Sequence, residues 1–242
     1  MMTNKNRKKK IMKMKKIIIN IFLGILISIF LLILSVQYYS FNNSYLYNHI
    51  DKNVPVNDDD LKIIVENISN YLKDDLDNLE FKITYDNKER LTFNEREISH
   101  MVDVKNIFLF VNKLKIYIIT IILACIFLIR KKYLINSIHY SLIISILSAT
   151  IFSIIIINNN FNYVFIKFHE LIFSNRLWIL YPETDLLINL LPLNFFISIA
   201  IAIIILFFSL ELFLSGIILL LKKYSILKKF LRNVLDRPLC FQ

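Results

Sequence analysis

Two histidines are the residues of this chain best suited to carry chemistry. His100 lies three residues after Glu97 and three residues before Asp103, and His169 is followed directly by Glu170. Histidine exchanges protons near neutral pH, and on a helix a carboxylate three residues away can hold its ring in one tautomer. The pattern indicates acid–base chemistry. For each histidine taken alone, a structural role is the better explanation: His100 as a polar residue at a helix entrance and His169 as an interfacial residue. Two histidines flanked by acids make the structural and the chemical explanations about equal.

Several common classes of enzyme are excluded by what the sequence lacks. The chain contains two glycines, Gly24 and Gly216, and both lie in apolar stretches, so neither a glycine-rich phosphate loop nor a nucleophile elbow can be built. The residue four positions after His169 is Phe173, which removes the second ligand of a zinc-protease helix. We therefore expect neither ATP-driven work nor metalloproteolysis, and no metal site.

Four apolar stretches are long enough to cross a membrane. Apolar residues form 56% of the chain, which exceeds the share typical of soluble domains. A bilayer core of about 30 Å requires about 20 helical residues. The stretches that meet this length are residues 17–36, 107–129, 134–157 and 195–221. The sequence therefore predicts an all-α polytopic membrane protein with four transmembrane helices.

The basic residues predict which side of the membrane each segment occupies. Residues 1–16 and 222–242 form basic tails, and the short turn around Arg130 is also basic. The positive-inside rule assigns these segments to the cytoplasm, so residues 37–106 and 158–194 lie outside. The net charge of +10 is then a topology signal. No nucleic-acid-binding motif accompanies it, and we expect no nucleic-acid partner.

The two external segments show different patterns. Within residues 37–106, apolar residues recur at helical spacing over positions 61–72 and alternate with polar residues over positions 81–93. These patterns predict one helix plus a hairpin, which would form a small extracytoplasmic α+β cap. Residues 158–194 are predicted to form an interfacial helical loop at the same face of the membrane.

A few polar and aromatic residues occupy positions that require an explanation. Asn94 and Glu97 have the spacing of a capping box, which predicts that a helix carrying His100 begins here. Glu211 lies within the fourth apolar stretch, where a charge is costly, and the sequence offers it no partner. Trp178 is an aromatic-belt residue or, alternatively, part of a groove for an acyl chain.

Two separated motifs carry a resemblance to a known family. Ahead of the second and fourth apolar stretches stand His100-Met101-x-Asp103-Val104-Lys105 and Phe168-His169-Glu170-x-x-Phe173, the latter followed by Trp178, Pro182, Asp185 and Pro192. Together these motifs resemble the lipoprotein intramolecular transacylase (Lit) family of small four-span bacterial membrane proteins. The resemblance covers about residues 94–196 by motif and the whole chain by topology.

The resemblance implies a membrane acyltransferase whose site lies on the extracytoplasmic side of the cell membrane. Such an enzyme moves the sn-2 acyl chain of an S-diacylglyceryl cysteine onto the α-amine of the same cysteine. The implied partners are diacylglyceryl lipoproteins and membrane lipid, and no cofactor is expected. The resemblance implies that His100 and His169 are catalytic and that Phe173, Trp178 and Asp185 are substrate contacts. The chemistry of the reaction needs one base and one acid, and the sequence does not say which histidine is which. By the same chemical argument, Asp103 and Glu170 would orient the rings and Lys105 would stabilise the oxyanion.

Two other classes of function stay open at this point. One is a different external lipid or lipoprotein acyltransferase that uses the same two histidines. The other is a non-enzymatic assembly or sensory subunit, for which the acidic cap is the working surface and neither histidine is required. Replacing His100 or His169 by alanine distinguishes the enzymes from the non-enzyme. The sequence gives no indication of the oligomeric state.

Overall fold

The computed structural model describes residues 4–128 and 131–235. Helix accounts for 77% of the chain, which confirms that the protein is mostly helical. The turn at Arg130 and the outermost residues of both basic tails lie outside the described residues. The elements in chain order are α1 (Asn4–Ser40), α2 (Asn43–His49), α3 (Asp58–Lys73), β1 (Lys82–Tyr85), β2 (Lys88–Leu91), α4 (Glu95–Leu128), α5 (Lys131–Ile172), α6 (Leu186–Leu190) and α7 (Leu193–Leu235).

Among the described residues, three helices are long and apolar enough to cross a membrane. They are Asn6–Ser40 in α1, Glu95–Cys125 in α4 and Leu193–Leu221 in α7. The third predicted span, residues 134–157, falls within α5, where the apolar helix Ile135–Ile151 is shorter than the others. The mostly helical fold and three candidate membrane spans are therefore shown, and the fourth span stays a prediction.

The chain divides into two compact units. The first contains residues up to 29, residues 122–146 and residues from 208 onward; the second contains residues 30–121 and 147–207. The four long helices α1, α4, α5 and α7 contribute to both units. The short elements α2, α3, β1, β2 and α6 all belong to the second unit, as do both histidines singled out by the sequence.

In the first unit, a buried glutamate joins three helices. Glu211 of α7 is fully buried, and its Oε1 accepts hydrogen bonds from the hydroxyls of Ser28, Ser141 and Ser145 at 3.1, 2.7 and 2.8 Å. Gly24 lies one turn before Ser28 on α1, and a Cβ there would stand 2.9 Å from the backbone nitrogen of Ser141. Small residues and interhelical hydrogen bonds are the usual means by which helices associate in apolar surroundings. Glu211 therefore has the partners that the sequence did not reveal.

In the second unit, the predicted helix and hairpin are both present. Helix α3 buries Leu61, Ile64, Val65, Ile68 and Leu72, the apolar residues expected from their helical spacing. Strands β1 and β2 pair antiparallel, and Asp86 and Asn87 between them have φ values of 49° and 57°. Two successive residues with positive φ are the requirement of a type I′ hairpin turn, and Asp and Asn tolerate that conformation. The strands are shorter than positions 81–93 suggested.

One apolar core connects these short elements to α4, the helix that carries His100. Met101, next to His100 on α4, is 5% exposed and belongs to the same buried cluster as Ile64 of α3 and Ile83 of β1. Leu186 and Leu190 of α6 lie in that cluster as well. Because His100 is adjacent in sequence to a core residue, the backbone position of His100 is fixed by packing rather than by a loop.

Candidate active site

The first turn of α4 sets the position of His100. The backbone N–H of Asn94 donates to Glu97 Oε2 at 2.8 Å, and the backbone N–H of Glu97 donates to Asn94 Oδ1 at 3.1 Å. This is the reciprocal arrangement of a capping box, which the sequence predicted from the spacing of the two residues. The cap fixes the start of the helix, and His100 follows one turn later, beside the buried Met101.

The last segment of α5 sets the position of His169. Asn160 interrupts the helix with φ 62° and ψ 164°, and its Oδ1 accepts a hydrogen bond from the backbone N–H of Tyr163 at 3.0 Å. These dihedral angles are not helical, and asparagine is a preferred N-cap residue, so Asn160 ends one helical segment and begins the next. His169 lies near the end of this new segment, which closes at Ile172.

The two histidines lie together in an aromatic environment. Their ring centroids are 6.2 Å apart, and the residues are 8% and 9% exposed. The ring of Phe173 lies 5.2 Å from His100 and 5.7 Å from His169, and the indole of Trp178 lies 5.1 Å from His169. Residues separated by almost seventy positions in sequence thus form one mostly apolar site that contains two ionisable rings.

The tautomer of His169 follows from its hydrogen bond. Its Nδ1 lies 2.7 Å from the backbone carbonyl oxygen of Phe165. A carbonyl can only accept a hydrogen bond, so Nδ1 carries the proton and the neutral ring presents a lone pair at Nε2. Burial lowers the pKa of His169 below its usual value near 6.5, although the bond to Phe165 opposes this change. His169 is therefore neutral at physiological pH and able to accept a proton at Nε2.

His100 differs from His169 because its ring is not held in this way. Within the described part of the chain, its buried Nδ1 has no hydrogen-bond partner. Buried polar atoms in proteins are almost always paired, and exceptions commonly mark functional sites. Among the described residues, the Nδ1 atom of His100 is therefore an unpaired buried polar atom of the histidine pair.

The two carboxylates expected to orient the histidine rings have other partners. Glu170 forms an ion pair with Lys167 at 2.6 Å, and Asp103 accepts a hydrogen bond from Asn175 Nδ2 at 2.8 Å. The expectation for Glu170 does not hold in this structure, because adjacent residues on a helix point in different directions and the carbonyl four residues before His169 occupies Nδ1. The residue that orients His169 is Phe165, through its backbone.

Lys105 lies away from the position expected for it. Its ammonium is 2.7 Å from Asp74 and 2.9 Å from the carbonyl oxygen of Leu76, and it stands 4.5 Å from the centre of the Tyr71 ring. Five residues along an α-helix correspond to a rotation of about 140°, so Lys105 projects to a different side of α4 from His100. We therefore do not propose that Lys105 contacts the reaction oxyanion, since its ammonium already has partners within the protein.

Asp185 is a structural residue rather than an exposed binding group. It is 2% exposed; its Oδ1 accepts from Asn94 Nδ2 at 2.7 Å and from Thr184 Oγ1 at 2.9 Å, and its Oδ2 accepts from Tyr181 N at 2.7 Å. Burial alone would raise the pKa of Asp185, but these hydrogen bonds hold the pKa below its usual value. The ionised carboxylate is satisfied by the protein, so we no longer expect it to contact substrate.

Trp178 and Asn175 extend the site into the loop after α5. The indole Nε1 of Trp178 donates to the backbone carbonyl of Asn175 at 3.1 Å, which fixes the ring beside His169. Asn175 was not singled out from the sequence; its place in the motif between Phe173 and Trp178 was the available signal. Among the residues that the structure describes, no group of three or more His, Cys, Asp or Glu side chains is arranged to hold a metal ion.

Comparisons with known proteins identify a family and two solved structures to which this chain is similar. The family model described as lipoprotein intramolecular transacylase Lit matches residues 14–196. A solved structure of the membrane integral lipoprotein intramolecular transacylase Lit from Bacillus cereus is similar, with a TM-score of 0.64 and 24% identity over 90% of this chain and 99% of that chain. A second structure, of a histidine-to-arginine mutant of that protein, gives a TM-score of 0.66 and 22% identity over 92% and 100%. No curated protein matches.

Proposed function

Because the chain belongs to the lipoprotein intramolecular transacylase (Lit) family, a family of membrane acyltransferases, we propose that it acts within a single S-diacylglyceryl-cysteine lipoprotein. The sn-2 acyl chain moves onto the α-amine of the same cysteine, giving an N-acyl, S-monoacylglyceryl product. An amide bond forms, an ester bond breaks, and the glycerol keeps its sn-2 oxygen as a hydroxyl. The observation that carries this proposal is the buried histidine pair, 6.2 Å between ring centroids.

The reaction requires one proton to move from nitrogen to oxygen. An α-amine has a pKa near 8, so it is mostly protonated near neutral pH, and the ammonium first releases one proton to solvent to give the free amine that attacks the ester. His169, neutral and with its Nε2 lone pair available, accepts the proton from the attacking amine. The resulting imidazolium returns the proton to the departing glycerol oxygen. Each such positioned transfer contributes about 10²–10⁴-fold to the rate.

His100 is assigned to the ester oxygen. With its proton on Nδ1, the neutral ring donates a hydrogen bond to the negative charge that develops on the carbonyl oxygen. In a water-poor site such a donor is worth more than in water. No other described residue supplies Nδ1 of His100 with a competing hydrogen bond. This assignment replaces Lys105 as the stabilising group, and it gives the two histidines different tasks.

The aromatic side chains are proposed to hold the acyl chain and exclude water. Phe173 contacts both histidine rings, and Trp178 covers His169. Because nucleophile and ester belong to one molecule, orientation supplies much of the acceleration. Exclusion of water also disfavours hydrolysis of the ester in place of transfer. Phe173 and Trp178 are thus the substrate-contacting residues of the proposal.

We also propose a four-span topology with the site at the outer leaflet. The spans are residues 17–36, 107–129, 134–157 and 195–221, and both basic tails, 1–16 and 222–242, are cytoplasmic. Residues 37–106 form the extracytoplasmic cap, and residues 158–194 form the interfacial loop. Support comes from the distribution of lysine and arginine along the sequence, which the positive-inside rule relates to the cytoplasmic side.

Mass spectrometry of a lipoprotein N-terminal peptide tests the function. The peptide is compared from a host with diacyl lipoproteins, with and without this protein. We expect an unchanged total mass, with fragment ions that move one acyl group from glycerol to the amine. His100→Ala and His169→Ala should each abolish the change at normal membrane abundance. A mass gain of one acyl group would indicate an external donor instead, and full activity of both variants would refute histidine catalysis.

A further inference from the structure

Hydrogen bonds join α4 to the segment after α5 on both sides of His100. One set involves Asn94 and Glu97, just before His100 on the chain, and the other involves Asp103, one turn after it. The partners of both sets lie in the segment 175–187, which also carries Trp178. A histidine flanked in this way is held at a fixed distance from that segment.

The first set of bonds is buried. Glu97 Oε1 accepts from the backbone N–H of Leu187 at 2.6 Å, and Asn94 Nδ2 donates to Asp185 Oδ1 at 2.7 Å. Glu97 and Asp185 are 1% and 2% exposed. Hydrogen bonds to carboxylates are strong, and leaving such a group unpaired in a buried position is costly. This set therefore fastens α6 to the capped end of α4.

The second set connects α4 to Trp178. Asn175 Nδ2 donates to Asp103 Oδ2 at 2.8 Å, while the Asn175 backbone carbonyl accepts from Trp178 Nε1 at 3.1 Å. Trp178 in turn lies 5.1 Å from His169, ring to ring. Asn175 thus links the helix that carries His100 to the indole that covers His169.

We propose that Asn94, Glu97, Asp103, Asn175 and Asp185 form a latch that fixes Trp178 and His169 relative to His100. In the latch, Asp103 and Asn175 are positioning residues of the transfer reaction, and Asp103 acts through Asn175 rather than through its charge on His100. This inference rests on the proposed function. Its physical basis is the narrow tolerance of near-attack geometry, since a displacement of about 1 Å can cost about 10²-fold in rate.

Exchanging the side chains of Asp103 and Asn175 shows whether Asp103 acts through its hydrogen bond to Asn175 or through its charge on His100. Asn175→Asp places two carboxylates against each other, which breaks the contact. Asp103→Asn keeps an acceptor oxygen for Asn175 Nδ2, so the contact survives without the charge. In the double variant Asp103→Asn/Asn175→Asp, the amide and the carboxylate exchange places and the hydrogen bond forms in the opposite direction.

Two readouts are needed, one of catalysis and one of structure. The first is kcat and KM for acyl transfer on a diacylglyceryl lipopeptide in detergent. The second is quenching by acrylamide of the fluorescence of Trp178, which is the only tryptophan of the chain. The quenching reports whether the indole stays covered and does not depend on activity.

Asn175→Asp should lower kcat by about tenfold, with KM within about twofold, and should increase quenching of Trp178. Asp103→Asn should stay within about threefold of the parent protein, and the double variant should recover most of the activity and protection lost in Asn175→Asp. Glu183→Gln, an exposed charge removal in the same segment, serves as the control and should change neither readout.

Two results would overturn the latch, and a third would overturn the proposed function but not the latch. Equal losses of kcat in Asp103→Asn and in the double variant would show that the charge of Asp103 matters, and would overturn the latch. Unchanged quenching in Asn175→Asp would overturn it as well. If the parent protein transfers no acyl group but the quenching pattern appears as described, the latch stands and the proposed function fails.

Discussion

Glu97→Gln is the substitution whose effect the structure defines most sharply. Both carboxylate oxygens of Glu97 accept backbone N–H groups, from Asn94 at 2.8 Å and from Leu187 at 2.6 Å, and the residue is 1% exposed. Glutamine has the same shape but only one acceptor oxygen. One of the two N–H groups must therefore face an amide NH₂, while the volume of the side chain is unchanged and no cavity forms.

The expected loss of stability is that of one buried, unsatisfied donor. Such a group costs about 1–3 kcal/mol, and more when the lost bond was to a charged partner. For a chain of this size, about 2 kcal/mol corresponds to a decrease of about 6 °C in Tm. The assay is thermal unfolding in detergent at a fixed scan rate, because membrane proteins seldom unfold reversibly.

Glu95→Gln provides a matched control two residues earlier. It is the same chemical change in the same first turn, but Glu95 is exposed, so its loss affects only the interaction with the helix dipole, worth a few tenths of a kcal/mol. A Tm for Glu97→Gln within about 1 °C of that control would refute the reasoning. It would mean that the two N–H groups find other acceptors or that the contact with Leu187 is not made.

Three further predictions concern the rest of the molecule. Gly24→Ala should lower Tm and abundance because its Cβ would stand 2.9 Å from the backbone nitrogen of Ser141, whereas Gly216→Ala, with nothing within 4 Å, should be tolerated; equal behaviour would contradict the close approach. Glu211→Leu should cost about 2 kcal/mol or more by removing the buried oxygen that accepts from three serine hydroxyls, and Glu211→Gln, which keeps an acceptor oxygen, should cost less; the opposite order in Tm would refute this account. Burial lowers the pKa of His169 in the folded protein, so protonation at low pH favours the unfolded chain. The Tm should therefore fall between about pH 7 and pH 5, and the decrease should be larger in the parent protein than in His169→Gln. Parallel curves of Tm against pH for the two proteins would contradict the burial of a neutral ring.

The features that could be predicted from sequence are those specified by neighbouring residues. The capping box of Asn94 and Glu97, the apolar face of α3 and the hairpin turn at Asp86 and Asn87 all depend on residues within a few positions of one another. Local backbone geometry and side-chain periodicity determine these features without reference to the rest of the chain. The apolar stretches of α1, α4 and α7 were evident for the same reason.

The partners of the acidic residues could not be predicted in the same way. Proximity along the sequence suggested Glu170 for His169, whereas the structure uses the carbonyl of Phe165 and pairs Glu170 with Lys167. The resemblance to the family suggested Asp185 as a substrate contact, although Asn94, 91 positions away, donates a hydrogen bond to one of its oxygens. Carboxylates accept hydrogen bonds from any nearby donor, so their roles depend on which donors folding brings close.

The sequence by itself determined the class of the protein, three helices long and apolar enough to span a membrane, the choice of the two histidines and the family to which the chain belongs. These depend on composition, on apolar runs and on residue types, which are properties of the chain before it folds. Tertiary structure alone decided that the two rings lie 6.2 Å apart, that His169 offers Nε2, and that Glu211 has serine partners on two other helices. Distances and hydrogen-bond partners between remote segments are fixed by how helices pack, and packing depends on the whole set of side chains at once.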